Sequence, residues 1–162
     1  MKCCAYLDIE TTSLSPYSGD LTVLGLHLDY GNKNTTTQLV GEEIDASKLI
    51  EVINEVGVLY TYNGTRFDLP YIKVKLGIDL NKSCMHKDLM YDCWRRDIYG
   101  GLKKVEKKLG IKRKTANIDG FMAVQLWYDY ELRGNEKALA ILLEYNREDV
   151  VNLKSLREKL NI

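Results

Sequence analysis

The sequence predicts an α/β fold in which helices pack on the faces of a mixed sheet, and three observations point there. Strand-like apolar runs come first, a single helical repeat is inserted before the fourth of them, and helical spacing then dominates to the C-terminus. Segments ordered in this way bury helices against a sheet with both parallel and antiparallel neighbours. At 162 residues the chain suits one core of ordinary size, so residues 1–162 are expected to form a single domain.

The elements follow in order. In AYLDIETTSL, Ala5 to Leu14, an apolar strand carries two carboxylates, Asp8 and Glu10, just before a polar loop that runs from Thr11 to Asp20. Side chains two apart on a strand face the same way, so these acids stand side by side. LTVLGLHLDY gives a second strand, with Leu21, Val23, Gly25 and His27 on one face. Gly31-Asn32 supplies a turn, and Thr35 to Val40 returns antiparallel to it. His27 fits a packed or hydrogen-bonded place on that sheet better than a catalytic one.

From Ala46 to Val56, Leu49, Ile50, Ile53 and Val56 recur at helical spacing, with Asp45 or Ser47 as cap. Gly57 is expected to end this helix, and VLYTYN to begin the fourth strand. Leu69 to Leu76 reads as a short helix with Pro70 in its first turn and Gly77 just past its end. Met85 to Asp88 is a short strand, followed by a helix through about Asp97. Beyond Gly100-Gly101 come a basic helix from Leu102 to Leu109, another from Gly120 to Leu132, and a long one from about Glu136 to Leu160. The apolar stripe of the long helix runs through Leu139, Leu142, Leu143, Val150, Leu153 and Leu160, with Glu144, Glu148, Lys154 and Glu158 turned away. Tyr145 and Asp149 lie four apart on the flank of that stripe and lean toward the sheet.

Composition narrows the function classes. The chain is 45% hydrophobic and 28% charged with a net charge of zero, so nucleic-acid binding would need a local patch. No apolar run approaches the ~20 residues that cross a bilayer, and the N-terminus has no signal-peptide pattern; a cytoplasmic, membrane-free protein is expected. Cys3, Cys4, Cys84 and Cys93 are then expected to be reduced thiols. Cys84, His86 and Asp88 superficially resemble a ligand set, but the tight paired spacing of structural zinc sites is missing.

Chemistry concentrates in a few places. Two like charges ~5 Å apart in a medium of effective dielectric ~20 repel by roughly 3 kcal/mol, so carboxylates gathered in one place must take up protons or a cation. A second D-x-E, Asp129 and Glu131, falls in a helical segment that splays its acids about 200° apart. The fourth strand runs into TYNGTRFDLPYI, which sets Asn63, Phe67 and Asp68 where a strand passes into a helix. Asp68 there is either a helix cap or a site acid, and Tyr145 is either a core aromatic or part of the site. LKKVEKKLGIKRK concentrates Lys103, Lys104, Lys107, Lys108, Lys112, Arg113 and Lys114 against Glu106 alone; it is a solvated helix face or a patch that tracks phosphates.

Three motifs together, D-x-E (Asp8, Glu10), N-x-x-x-F-D (Asn63, Phe67, Asp68) and Y-x-x-x-D (Tyr145, Asp149), resemble those of the DEDD 3′ to 5′ exonuclease superfamily. The tyrosine marks the branch that includes the proofreading domains of family B DNA polymerases. No polymerase segments follow, and the chain is similar to stand-alone ribonuclease H-like exonucleases of bacteria and archaea. The resemblance implies an α/β ribonuclease H-like fold with a central mixed five-stranded sheet flanked by helices, two divalent cations (Mg²⁺ or Mn²⁺), and a nucleic acid substrate. It implies Asp8, Glu10 and Asp149 around one ion, Asp8 and Asp68 around the other, and Tyr145 orienting water. It further implies Thr11, Thr12 and Leu14 at the 3′ end, with Asn63 and Phe67 lining the same cleft, although turn-forming and packing roles fit these residues equally. A structure-specific endonuclease and a catalytically inactive binding module of the same fold are the rival readings.

Overall fold

The structure is a computed structural model and describes residues 2–162. Strands β1 (Cys3–Thr11), β2 (Leu21–Asp29), β3 (Asn34–Val40), β4 (Val56–Thr61) and β5 (Met85–Asp88) form one sheet in the order β3-β2-β1-β4-β5. β1 runs antiparallel to β2 and parallel to β4, so the sheet is mixed, as expected. The helices are α1 (Ala46–Ile53), α2 (Asp68–Leu76), α3 (Leu80–Ser83), α4 (Leu89–Trp94), α5 (Leu102–Lys108), α6 (Gly120–Arg133) and α7 (Glu136–Lys159).

Central β1 is buried on both faces. Cys3, Ala5, Leu7 and Ile9 join Leu49 and Ile53 of α1 and Leu69 and Ile72 of α2 in one core. On the opposite face Tyr6 packs with Leu153 and Leu156 of α7, and Val23 of β2 with Leu142 and Tyr145 of the same helix. The β1 face that begins with Tyr6 continues through Asp8 and Glu10, and Glu10 pairs across the ladder with Val23. The acids therefore interrupt an otherwise apolar seam beneath α7.

Local signals read from the sequence have clear counterparts. Asp45 caps α1 by accepting the Ser47 N–H, and Gly77 ends α2 in the left-handed conformation at φ 71°. His27 is buried, with Nδ1 2.8 Å from Thr36 Oγ1 on the neighbouring strand. Three boundaries differ. α1 stops at Ile53, and both Val56 and Gly57 belong to β4, because Val56 is fully buried opposite Cys3 in the parallel ladder. α4 stops at Trp94, three residues short of expectation, and Asp97 takes a positive φ of 58°. The short α3 carried no periodic signal because four residues make barely one turn.

Candidate functional site

β1 and α7 bring three acids together. Asp8, Glu10 and Asp149 each offer a carboxylate oxygen within 4.8 Å of the others. Glu10 and Asp149 are buried, and Glu10 Oε1 is a buried acceptor with no hydrogen-bond partner among the described residues. Asp68, the first residue of α2, is also buried; its Oδ1 accepts the Ile9 N–H at 3.1 Å, and it lies outside the three-residue set.

Electrostatics follow from that crowding. Burial, then the charges of Asp149, Glu10 and Asp68, hold Asp8 well above the usual carboxylate range. Glu10 is raised by burial and by Asp149 and Asp68. Burial lifts Asp68 to about 7 against the opposing Ile9 hydrogen bond, and lifts Asp149 to about 6 against Arg113. In the absence of a cation such a set is held together by retained protons and by Arg113. Its donors are hard oxygens, and one of them has no hydrogen-bond partner among the described residues, so the residues fit Mg²⁺ or Mn²⁺.

A cleft of about 530 Å³ opens over the acids, lined by Asp8, Asp149, Tyr145, Asn63, Lys103 and Lys104 among others. Tyr145 is buried, and burial together with Asp149, Glu10 and Asp8 drives its hydroxyl far above the ordinary phenol value. It therefore stays a neutral O–H. Lys103 Nζ sits 4.8 Å from the centre of the Tyr145 ring, a cation–π contact at the cleft wall.

Other expected site residues fare differently. Asn63 lines the cleft in a left-handed turn at φ 62°, its N–H bound to Asp88 Oδ1 at 2.8 Å. Phe67 packs against Tyr71, ring centres 5.5 Å apart, and joins the core beneath α1 and α2. Thr11 Oγ1 donates to the Ser13 carbonyl, and Thr12 Oγ1 accepts the Asp20 N–H, so both brace the β1–β2 loop. Leu14 on that loop is 86% exposed. None of Phe67, Thr11, Thr12 and Leu14 lines the cleft over the acids.

Two expectations are corrected. Arg113 is not a surface member of the basic patch: its side chain is 4% exposed and pairs with Glu106 and Asp149. Glu148 does not turn to solvent; it is buried and accepts from Lys114 N, Thr115 N and Thr115 Oγ1. Both surprises have one cause, because the segment after α5 folds back onto α7 and supplies donors that helical spacing alone cannot reveal. Among the thiols and imidazole set apart earlier, Cys84 Sγ faces the Leu80 carbonyl, His86 Nε2 lies 2.9 Å from Thr61 Oγ1, and Cys93 is fully buried in the core.

Sequence reasoning missed the support for Asp8. Asn146 is fully buried, and its Nδ2 donates to the Asp8 carbonyl at 3.2 Å and to Asp8 Oδ2 at 3.1 Å. Its own Oδ1 accepts from Gln38 Nε2 at 2.9 Å, which also reaches the Leu143 carbonyl. Gly25, opposite Asp8 in the ladder, makes room: a Cβ there would lie 2.2 Å from Asn146 Oδ1. A glycine inside a strand is a recognised sign of such close approach, and it was the available clue.

The sequence profile of the RNase H superfamily matches residues 5–161 of this chain. A DNA polymerase of Methanocaldococcus jannaschii is 34% identical over 119 residues, 71% of this chain and 6% of that protein. The family B DNA polymerase of the hyperthermophilic archaeon Pyrobaculum calidifontis superposes with a TM-score of 0.76 at 18% identity, covering 99% of this chain and 25% of that one. A nuclease in its apo form gives 0.67 at 21% identity, covering 98% of this chain and 71% of that one. The zinc-bound complex of E. coli exonuclease I with single-stranded DNA gives 0.53 at 11% identity over 81% of this chain and 41% of that one. At these identities the structural likenesses speak to the fold.

Proposed function

The chain belongs to the RNase H superfamily, and from that premise we propose that it is a metal-dependent 3′ to 5′ exonuclease that releases nucleoside 5′-monophosphates from a nucleic acid end. The observation that carries the proposal is the meeting of Asp8, Glu10 and Asp149 beside a cleft, with Glu10 Oε1 lacking a hydrogen-bond partner among the described residues. No structural need explains such a set, because each buried acid raises the cost of ionising the next.

Asp8, Glu10 and Asp149 would hold divalent ions, with Asp68 contributing at the second position. When bound, such ions supply Lewis acidity, easing deprotonation of water and offsetting charge on the attacking and departing oxygens. Tyr145, kept neutral by its surroundings, donates its O–H to orient the attacking water rather than removing a proton. Lys103 and Lys104 on the cleft wall meet the negative charge of the backbone. Asn146 holds Asp8 in place through two hydrogen bonds.

The chain spans 6% of the polymerase that it matches in sequence. Substrate choice is thus tested directly on DNA and RNA. With Mg²⁺ or Mn²⁺, a 5′-labelled strand is expected to shorten stepwise to a ladder, and Asp8→Ala or Asp149→Ala to stop it. Cleavage of a circular single strand would replace the proposal with an endonuclease. Silence on both sugars, single and double stranded, with retained binding would replace it with an inactive binding module.

A further inference from the structure

Arg113 occupies an unusual place for a residue of a lysine-rich segment. Its guanidinium is buried, donating Nε to Glu106 Oε2 at 2.9 Å and Nη2 to Glu106 Oε1 at 2.8 Å, while Nη2 also reaches Asp149 Oδ1. Glu106 is itself 2% exposed and accepts from Asn152 Nδ2 at 3.2 Å. Asn152 also donates to the Lys112 carbonyl, and Glu148 grips Lys114 and Thr115. Thus α7 clasps residues 112–115 on both sides of Arg113, and the guanidinium is fixed before it touches Asp149.

We propose that Arg113, locked by Glu106, is a positioning residue that fixes the Asp149 carboxylate for divalent-ion binding. The inference rests on the metal-site reading given above. Planarity makes the role specific to arginine, since one fork can hold Glu106 side-on and still present Nη2 to a second carboxylate. Residues that hold a ligating carboxylate act through its orientation, and their loss typically costs about 10- to 100-fold in metal affinity. Coulomb's law alone predicts the reverse, because removing a cation near the site should tighten the binding of another cation. The sign of the change therefore separates positioning from simple charge balance.

The experiment is calorimetric titration of Mn²⁺ into the whole metal-free protein, with circular dichroism as the check of folding. Arg113→Met is expected to bind Mn²⁺ about 10- to 100-fold more weakly than wild type. Arg113→Lys, which keeps charge but loses the fork, is expected to lose a similar factor, and it stands in should the methionine variant not fold. Glu106→Gln, which loosens the lock and leaves Arg113 and Asp149 in place, is expected to lose less. Equal or tighter binding in a folded Arg113 variant overturns the positioning role and leaves the metal site standing. Absence of Mn²⁺ binding by the wild-type protein, or undiminished binding by the Asp149→Asn variant, overturns the metal reading itself.

Discussion

Glu148 and Asp149 are adjacent carboxylates on one helix, and both are buried, yet their surroundings are opposite. Burial pushes Glu148 up, but hydrogen bonds from Thr115 and the Lys114 N–H outweigh it and leave its carboxyl below the ordinary value. Asp149 turns about 100° away around the helix and meets Asp8 and Glu10, and burial carries it to about 6. Glu148, whose two carboxylate oxygens are both met by donors from Lys114 and Thr115, is structural. A buried acid supplied with other acids is primed to hold a cation.

Substitution at the two positions should separate them most sharply. Asp149→Asn is expected to cost the proposed nuclease at least about 10³-fold in rate, roughly 4 kcal/mol of transition-state stabilisation. Glu148→Gln should keep most of the rate and instead lose about 1–3 kcal/mol of stability by upsetting three donors. Single-turnover digestion and urea unfolding read the two effects. Equal loss of activity in both would erase the distinction.

A smaller effect tests how the strand-borne acid is held. Gly25→Ala is expected to cost about 1–3 kcal/mol, because its Cβ would collide with Asn146 and push it from Asp8. Urea unfolding measures the loss, and Mn²⁺ affinity should fall with it. Unchanged stability would mean that Asn146 moves aside freely.

The mildest test is pH. Asp68 at about 7 and Asp149 at about 6 lie above the ~4 of an unfolded carboxylate, so the folded protein keeps protons that the unfolded chain releases. Their stabilising contribution is full below about pH 4 and is lost as pH rises through 6 to 7. The metal-free protein should therefore melt a few degrees lower at pH 8 than at pH 5, and Mg²⁺ at pH 8 should restore the difference. Glu148 works in the other direction, stabilising above the ordinary carboxylate value and losing that contribution as pH falls through its own lowered one. A melting temperature that climbs steadily from pH 5 to 8 without metal would contradict the crowding of the acids.

Much of the fold could be read from periodicity and punctuation. The hairpin through Gly31, the αL stop at Gly77 and the long final helix all rest on short-range chemistry, and all lie where expected. The helix boundary near Val56 could not be read, since the same apolar residue serves a helical stripe and a buried strand equally well; pairing with Cys3 decides it. Among the candidate site residues, Asp8, Asp149, Tyr145 and Asn63 line one cleft and Glu10 meets the two acids there, whereas Phe67 and the loop threonines brace structure nearby. Arg113 was grouped with the lysines of the basic patch because burial is not visible in charge.

What the sequence determined by itself was direction. Strand alternation turned Asp8 and Glu10 to one face, and helical steps of about 100° turned Tyr145 and Asp149 toward the sheet. Which charges would meet was decided only in three dimensions, when the segment around Arg113 closed onto α7 across 36 residues to Asp149 and Asn146 reached back 138 residues to Asp8. Local spacing sets where a side chain points on its own element, whereas its protonation, its partners and its ability to hold an ion depend on neighbours delivered by distant chain.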